Sequence, residues 1–241
     1  MKLFDSHCHF DFADFDRDRD LIWRDCRQLG VEQLLIPGVS PRLWSRVQRI
    51  ADRLPGALWA VGVHPWWAAQ WSGGGGDKLA AMAEPFLSQG GCVAIGECGL
   101  DAAIGIPLPR QQALFEYHLQ LACERLLPII VHVRDTHPLT LQLLRRFRPA
   151  QYWRLGFYLG IGGTITYPRA AKTRRAAAAL PLSALLLETD APDMPLCGFQ
   201  GQRNSPLQLP RVAQALAGLR GVPVDDIARQ TVENSLLLFE R

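Results

Sequence analysis

An α/β fold built on a parallel sheet is what this sequence predicts, and three observations carry it. Short apolar runs of strand length alternate with longer amphipathic stretches from end to end. Runs such as "LLLE" and "PIIVH" are apolar at successive positions, which suits strands buried on both faces of a parallel sheet. Ionisable residues gather just after several of these runs, at the strand ends where (β/α) barrels place their active sites.

Strands are expected over residues 2–5, 33–37, 58–63, 93–97, 129–133, 157–162 and 185–188. Helices are expected between them, over 17–29, 41–54, 77–89, 109–126, 138–147 and 168–180. Two more, 206–219 and 223–239, close the chain. Pro41, Pro109, Pro138, Pro168, Pro206 and Pro223 open six of these helices, where a missing N–H costs nothing. "SGGGGD", residues 72–77, reads as a flexible loop and not an interdomain linker, because the strand–helix rhythm resumes after it. A single domain over residues 1–241 is therefore expected.

Composition narrows the class. With 48% hydrophobic and 20% charged residues, the chain reads as an ordinary globular protein. No window approaches the ~20 continuous apolar residues of a membrane span, so no membrane partner is expected. Asp5, His7 and Asp11 interrupt the N-terminal region too early for a secretory signal. The six cysteines are scattered without a CxxC pair and read as reduced thiols of a cytoplasmic protein. A formal charge of +3 is too mild to establish a nucleic-acid partner by itself.

The chemistry concentrates in a few places. "FDSHCHFD" puts His7 and His9 two residues apart directly after the first strand. In extended backbone such positions point the same way, so both imidazoles aim at one point while Cys8 faces away. His64 follows the third strand in "GVHP", and Glu97 ends the fourth in "AIGECGLD". His132, Arg134 and Asp135 end the fifth, and Glu188 and Asp190 end the last. A lone carboxylate after a strand is commonly a helix cap. Several imidazoles and carboxylates at one rim point instead to a metal centre.

"FDSHCHFD", "GVHP", "AIGECGLD", "PIIVHVRD", "GGTITYP" and "LLLETDAPDMP" resemble, in order, the motifs of TatD-type metal-dependent hydrolases and deoxyribonucleases. "QRNSPLQLPRV" and the late Asn234 fit the same family, and the resemblance covers nearly the whole chain. "GGTITYPRA" and "APDMPLCGFQGQ" look closest to an uncharacterised bacterial branch of it. The resemblance implies a distorted TIM barrel of the amidohydrolase superfamily with one or two divalent ions and points to Mg²⁺ for nuclease work, whereas the imidazole content of the ligands favours Zn²⁺ or Mn²⁺. It implies that His7, His9, Glu97 and Asp190 hold one ion, and that Glu97 bridges to a second that His132 also binds. Such ions lower the pKa of a shared water and clamp attacking and leaving oxygens. An Asp at the last strand is well placed to take the water's proton, so Asp190 carries a double role, ligand and general base.

One departure from the family stands out. The histidine motif that the family carries at strand six is absent, and about ten residues remain between the helix ending near Phe147 and the strand at Phe157. A crossover alone needs about ten to twelve residues, so one βα unit is missing. Either the chain has lost it or the sequence omits residues. Omission is favoured, because excising a strand leaves two sheet edges unpaired. Such a break is expected between Phe147 and Tyr152, at Ala150–Gln151, with "QYWRLGF" as the tail of the missing helix.

Around the expected ligands, several side chains carry two readings each. His64 is a helix-start hydrogen bonder or a substrate phosphate contact. Arg134, two residues past His132 on the same strand side, grips a phosphate or pairs with Asp135 or Glu97. Tyr167, Arg169, Lys172 and Arg174 form a basic patch that a solvated helix face also explains. Trp66 and Trp67 stack on bases or serve as lid and core aromatics. Cys8 and Cys98 read as small buried fillers. The function expected is a phosphodiesterase or deoxyribonuclease acting on DNA ends. The alternative is a small-molecule amidohydrolase or phosphoesterase on the same metal chemistry. No obligate protein partner is evident.

Overall fold

The computed structural model describes residues 1–71, 73–147 and 157–239. Strands form at each of the seven expected runs: β1 Leu3–Asp5, β2 Val31–Ile36, β3 Ala57–Val61, β4 Cys92–Asp101, β5 Ile129–Arg134, β6 Leu159–Ile161 and β7 Leu185–Leu187. Helices α1 Arg19–Gln28, α2 Pro41–Arg53, α3 Gly75–Leu87, α4 Leu108–Arg125, α5 His137–Phe147, α6 Ala171–Ala179, α7 Leu209–Arg220 and α8 Val224–Phe239 lie between and after them. The expected break at Ala150–Gln151 and the "QYWRLG" stretch lie outside the described residues. Among the described residues, no helix is long and apolar enough to cross a membrane.

The chain divides into two compact units. The first comprises Met1–Ile36, Arg53–Leu58 and Phe157–Arg241. Here β1 pairs parallel with β2, and β6 parallel with β7. α8 packs on β1 and β7, with the Phe4 and Phe239 rings 5.9 Å apart. Its buried face recurs at three- and four-residue steps: Ile227, Thr231, Asn234 and Leu238. Asn234 is buried at no penalty, because its amide donates to the Leu185 and Leu182 carbonyls at 2.7 and 3.0 Å.

The second unit comprises Pro37–Asp52 and Trp59–Gly156. In it β4 pairs parallel with both β3 and β5. β4 runs four residues beyond the expected end, so Glu97 lies within the strand and not at its terminus. The apolar run stops at Ile95, but the ladder does not: Cys98 to Asp101 register with Val131 to Arg134. Gly99 makes that pairing possible. Its φ is +143°, and a Cβ there would stand 2.1 Å from the His132 carbonyl oxygen. Cys98 and Leu100 turn into a core with Phe115 and Leu119 of α4 and Leu143 and Leu144 of α5. Cys8 and Cys98 are both fully buried, as fillers should be.

α4 carries one polar group into this core. His118 is buried, accepts from the Val63 N–H at 3.0 Å and lies 2.7 Å from the Leu114 carbonyl, to which its other ring nitrogen donates. Burial pushes its pKa down from 6.5 to about 4. The folded state therefore resists a proton that the unfolded chain accepts, and the two bind unequally only between those values. Stability contributed by neutral His118 is complete above about 6.5 and is lost as pH falls towards 4. Urea unfolding at pH 7.5 and 4.5 should show this acid limb, and His118→Gln should flatten it. An unchanged limb would assign the acid sensitivity to other groups.

Among the described residues, two strand edges are open. β5 is no better than half-buried along its length, although four of its first five residues are aliphatic. It pairs with β4 on one side, and among the described residues no strand covers the other. In the first unit, Leu159 of the short β6 and the preceding Phe157 are exposed by 47% and 58%.

Candidate metal centres

In the first unit, the chain beyond β1 zips against the chain beyond β7. Ser6 N–H donates to Leu187 O at 2.9 Å, Asp190 N–H to His7 O at 2.9 Å, and His9 N–H to Ala191 O at 2.8 Å. This pairing carries residues far apart in sequence to one place. His7 Nε2 and His9 Nε2 stand 3.3 Å apart, and Asp190 Oδ1 lies 3.6 and 3.7 Å from them. Donors about 2.1 Å from a tetrahedral ion are themselves about 3.4 Å apart, so this triangle has the right size for a divalent cation.

Several groups hold the triangle. Buried Asp5 accepts from Thr189 N–H and Oγ1 at 3.0 and 2.6 Å and from His7 N–H at 3.4 Å. Burial pushes its carboxyl up to about 7, against the hydrogen bonds from Thr189 and His7. Asn204 donates to Thr189 O at 2.8 Å and to Met194 O at 3.2 Å, fixing the loop after Asp190. Phe12 stacks on His9 with centroids 4.8 Å apart and planes at 18°, which sets the imidazole plane. Asp190 has φ +55°, a left-handed conformation that Asp tolerates better than most residues. Its side chain is 39% exposed, against 11% and 9% for the two imidazoles.

The second unit builds another cluster, from His64, Glu97 and His132. Glu97 Oε1 lies 3.1 Å from His132 Nδ1 and 3.7 Å from His64 Nε2, and the two imidazole centroids are 4.3 Å apart. His132 Nε2 lies 3.1 Å from Oδ2 of fully buried Asp101. Burial alone would lower the His132 pKa, but Glu97 and Asp101 outweigh it and raise it. Burial likewise pushes Asp101 up, and the Ala103 amide, His132 and Trp66 outweigh it and hold its carboxyl low. An imidazole facing a metal-binding carboxylate on one nitrogen while donating to a carboxylate on the other is the usual support of a metal ligand.

His64 differs from His132 in its protons. It caps the 3₁₀ turn Pro65–Gln70, its Nδ1 accepting from Trp66 N–H at 3.2 Å. A nitrogen that accepts carries no proton, so the neutral ring holds its proton on Nε2, the atom facing Glu97. His64 is thus suited to donate a hydrogen bond and poorly suited to bind an ion through Nε2. The helix-start role expected for it is present, and a donor function stands beside it.

The five expected ligands accordingly fall as His7, His9 and Asp190 in one unit and Glu97 and His132 in the other. Arg134 ends β5, is exposed, and makes no ion pair with a described residue. In the basic patch, Tyr167 and Arg174 bond the carbonyls of Pro195 and Ile165 at 2.7 and 2.6 Å and are structural. Trp66 is exposed, while Trp67 is half-buried. Asp101, Asp5 and Asn204 were not singled out from the sequence. Asp101 had a signal, since it stands four residues after Glu97 in a strand, on the same side. Asp101→Asn should weaken metal binding at the second cluster by about 10–100-fold, because Asn cannot accept from His132 while also meeting its other donors. A metal titration of the purified protein reads this, and an unchanged affinity would make Asp101 a purely structural partner.

The donor sets thus fit divalent ions, and comparison with known proteins agrees. The family model described as TatD related DNase matches residues 4–240. An Escherichia coli protein named as the uncharacterized metal-dependent hydrolase YjjV is 39% identical, over 99% of this chain and 98% of its own. That alignment spans 255 residues against 241 in this chain, so the relative carries residues that this chain lacks. A protein of Erwinia billingiae named as the 3'-5' ssDNA/RNA exonuclease TatD is 33% identical, over 98% of both chains. The crystal structure of YjjV superposes with a TM-score of 0.90 at 38% identity, covering 99% of this chain and 98% of that one. A TatD family structure from Entamoeba histolytica matches in fold with a TM-score of 0.84 at 15% identity. The TIM-barrel-like α/β class expected from the sequence is therefore the right one, and the chain belongs to the TatD family of metal-dependent hydrolases.

Proposed function

We propose that the protein is a phosphodiesterase that hydrolyses nucleic acid, DNA in the first place, from an exposed end. The observation that carries this reading is Arg134, an exposed guanidinium without an ion-pair partner among the described residues, two positions past His132 on β5. A guanidinium left unpaired beside a metal-capable cluster suits the fixed charge of a phosphodiester, and has no purpose towards a neutral ester or amide. The exonuclease name of the Erwinia relative supports the same substrate class.

In the first unit, His7, His9 and Asp190 would hold an ion, and in the second Glu97 and His132 would hold one. Bound divalent ions, Mg²⁺, Mn²⁺ or Zn²⁺, supply Lewis-acid activation of water and neutralise phosphoryl charge. Asp190, the exposed member of its triangle, accepts the proton of the attacking water. Within the second unit taken by itself, His64 is suited to donate its Nε2–H to a phosphoryl oxygen, and Arg134 to bind another through its fork of N–H groups. Glu97, with 7% of its side chain exposed, is too deeply enclosed to serve as the first contact of a substrate.

The test is hydrolysis by metal-depleted protein to which Mg²⁺, Mn²⁺ or Zn²⁺ is added back. Substrates are 5'- and 3'-labelled single- and double-stranded DNA, with p-nitrophenyl acetate and a lactone as neutral comparisons. Metal-dependent shortening from one end is expected. Turnover of the neutral substrates with intact DNA would replace this reading by the small-molecule one.

A further inference from the structure

We propose that Trp66 is a stacking platform for a nucleobase, a specificity-determining residue that reads the presence of a base beside the phosphate being cleaved. This inference rests on the nucleic-acid reading above. Trp66 is 56% exposed, whereas Trp23, Trp44 and Trp59 are 3% exposed or less. An indole that exposed contributes little to a core. Its position is nevertheless fixed from several directions.

Its indole N–H donates to Oδ2 of Asp101 at 3.2 Å, and Asp101 is fully buried. Its backbone N–H donates to His64 Nδ1 at 3.2 Å. Pro65 precedes it and restricts the backbone at the start of the turn. The far end of the same turn is held by Arg110, whose guanidinium donates to the carbonyls of Ala68, Ala69 and Trp71 at 3.1, 2.8 and 3.0 Å. An exposed side chain usually samples several rotamers and must be ordered when a ligand binds. Here the ordering is already done, which is what preorganisation of a binding surface requires.

The ring is also next to the chemistry. It meets the His64 imidazole edge-on, with centroids 5.5 Å apart at 87°, and His64 in turn lies against His132. Asp101 anchors both the Trp66 indole and His132, so a single buried carboxylate positions the platform and the expected ligand. A flat, apolar, rigid face beside groups suited to phosphate fits a nucleotide, whose base is flat and whose phosphate follows. Every base has a π-face, so recognition of this kind is base-dependent but tolerant of sequence.

The experiment measures binding and cleavage of two single-stranded oligonucleotides. One carries a normal terminal nucleotide and the other an abasic terminal residue; for anisotropy, both are made with cleavage-resistant phosphorothioate linkages. Wild-type protein should bind the abasic strand on the order of tenfold more weakly. Trp66→Ala should weaken the normal strand by about the same factor and leave the abasic strand unchanged, with cleavage following through KM more than kcat. Trp66→Phe should keep most of the preference, since it keeps a ring and loses only the bond to Asp101. Equal losses of Trp66→Ala on both strands would show a structural role and overturn the proposal. So would an unchanged preference in that variant. If wild-type protein neither binds nor cuts either strand, the nucleic-acid reading itself fails and the platform falls with it.

Discussion

Asp190→Asn should lower turnover on the order of 10²–10⁴-fold while leaving the fold and most of the first-cluster metal in place. Asparagine still offers an oxygen lone pair where Asp190 Oδ1 faces His7 Nε2 and His9 Nε2, at 3.6 and 3.7 Å. It also tolerates the left-handed backbone that Asp190 adopts at φ +55°. The Asp190 N–H bond to the His7 carbonyl, which closes the zipper between the two chain segments, is untouched. What Asn lacks is a site of useful basicity. The buried imidazoles, proposed as ligands, are not placed to replace it, and the 39% exposure of the Asp190 side chain gives it alone of the three an open approach. The measurement is kcat on single-stranded DNA beside metal content by mass spectrometry. Turnover within a few fold of wild type, at equal metal content, would assign the proton to another group.

The parts of this site that are local in sequence could be read from it. His7-X-His9 declares itself through alternation, because two positions two apart in extended backbone share a direction whatever the rest of the chain does. The helices declare themselves similarly, through spaced apolar residues and opening prolines, as in α2 with Pro41, Trp44, Val47 and Ile50. The end of β4 did not, because its last residues are held by pairing with β5 and not by hydrophobicity. His118 also escaped notice: one histidine on a helix says nothing until Val63 is brought against it. Asp5 and Asn204 belong to the same class. Their partners, Thr189 in both cases, lie 184 and 15 residues away, and only the closed fold makes the pairs. His64 shows a further limit. Its position near the cluster was legible, but its proton inventory depends on a backbone N–H two residues on, which only the turn geometry supplies.

Arg134→Ala should weaken phosphodiester substrates by about 1.5–3 kcal/mol, the cost of a lost charge-assisted hydrogen bond, and leave neutral esters little changed. The structural alternative for Arg134 was an ion pair with Asp135 or Glu97. Neither is made, and the residue stands exposed at the end of β5. An exposed guanidinium with no ion-pair partner among the described residues contributes little to stability, so its removal should not shift the unfolding midpoint by more than surface substitutions do. Its backbone role survives the change, because the Arg134 carbonyl, not the side chain, accepts from Ala102 N–H at 3.0 Å. Arg134→Lys separates charge from geometry. A lysine restores attraction but not the two parallel N–H groups, so a bidentate contact predicts partial rescue and simple electrostatic steering predicts nearly full rescue. The discriminating quantity is the ratio of kcat/KM on a phosphodiester to that on a neutral ester, measured in all three proteins at one ionic strength. A ratio unchanged by Arg134→Ala would remove the residue from substrate binding. It would also take away the observation on which the phosphodiesterase reading rests, in favour of a hydrolase of neutral substrates.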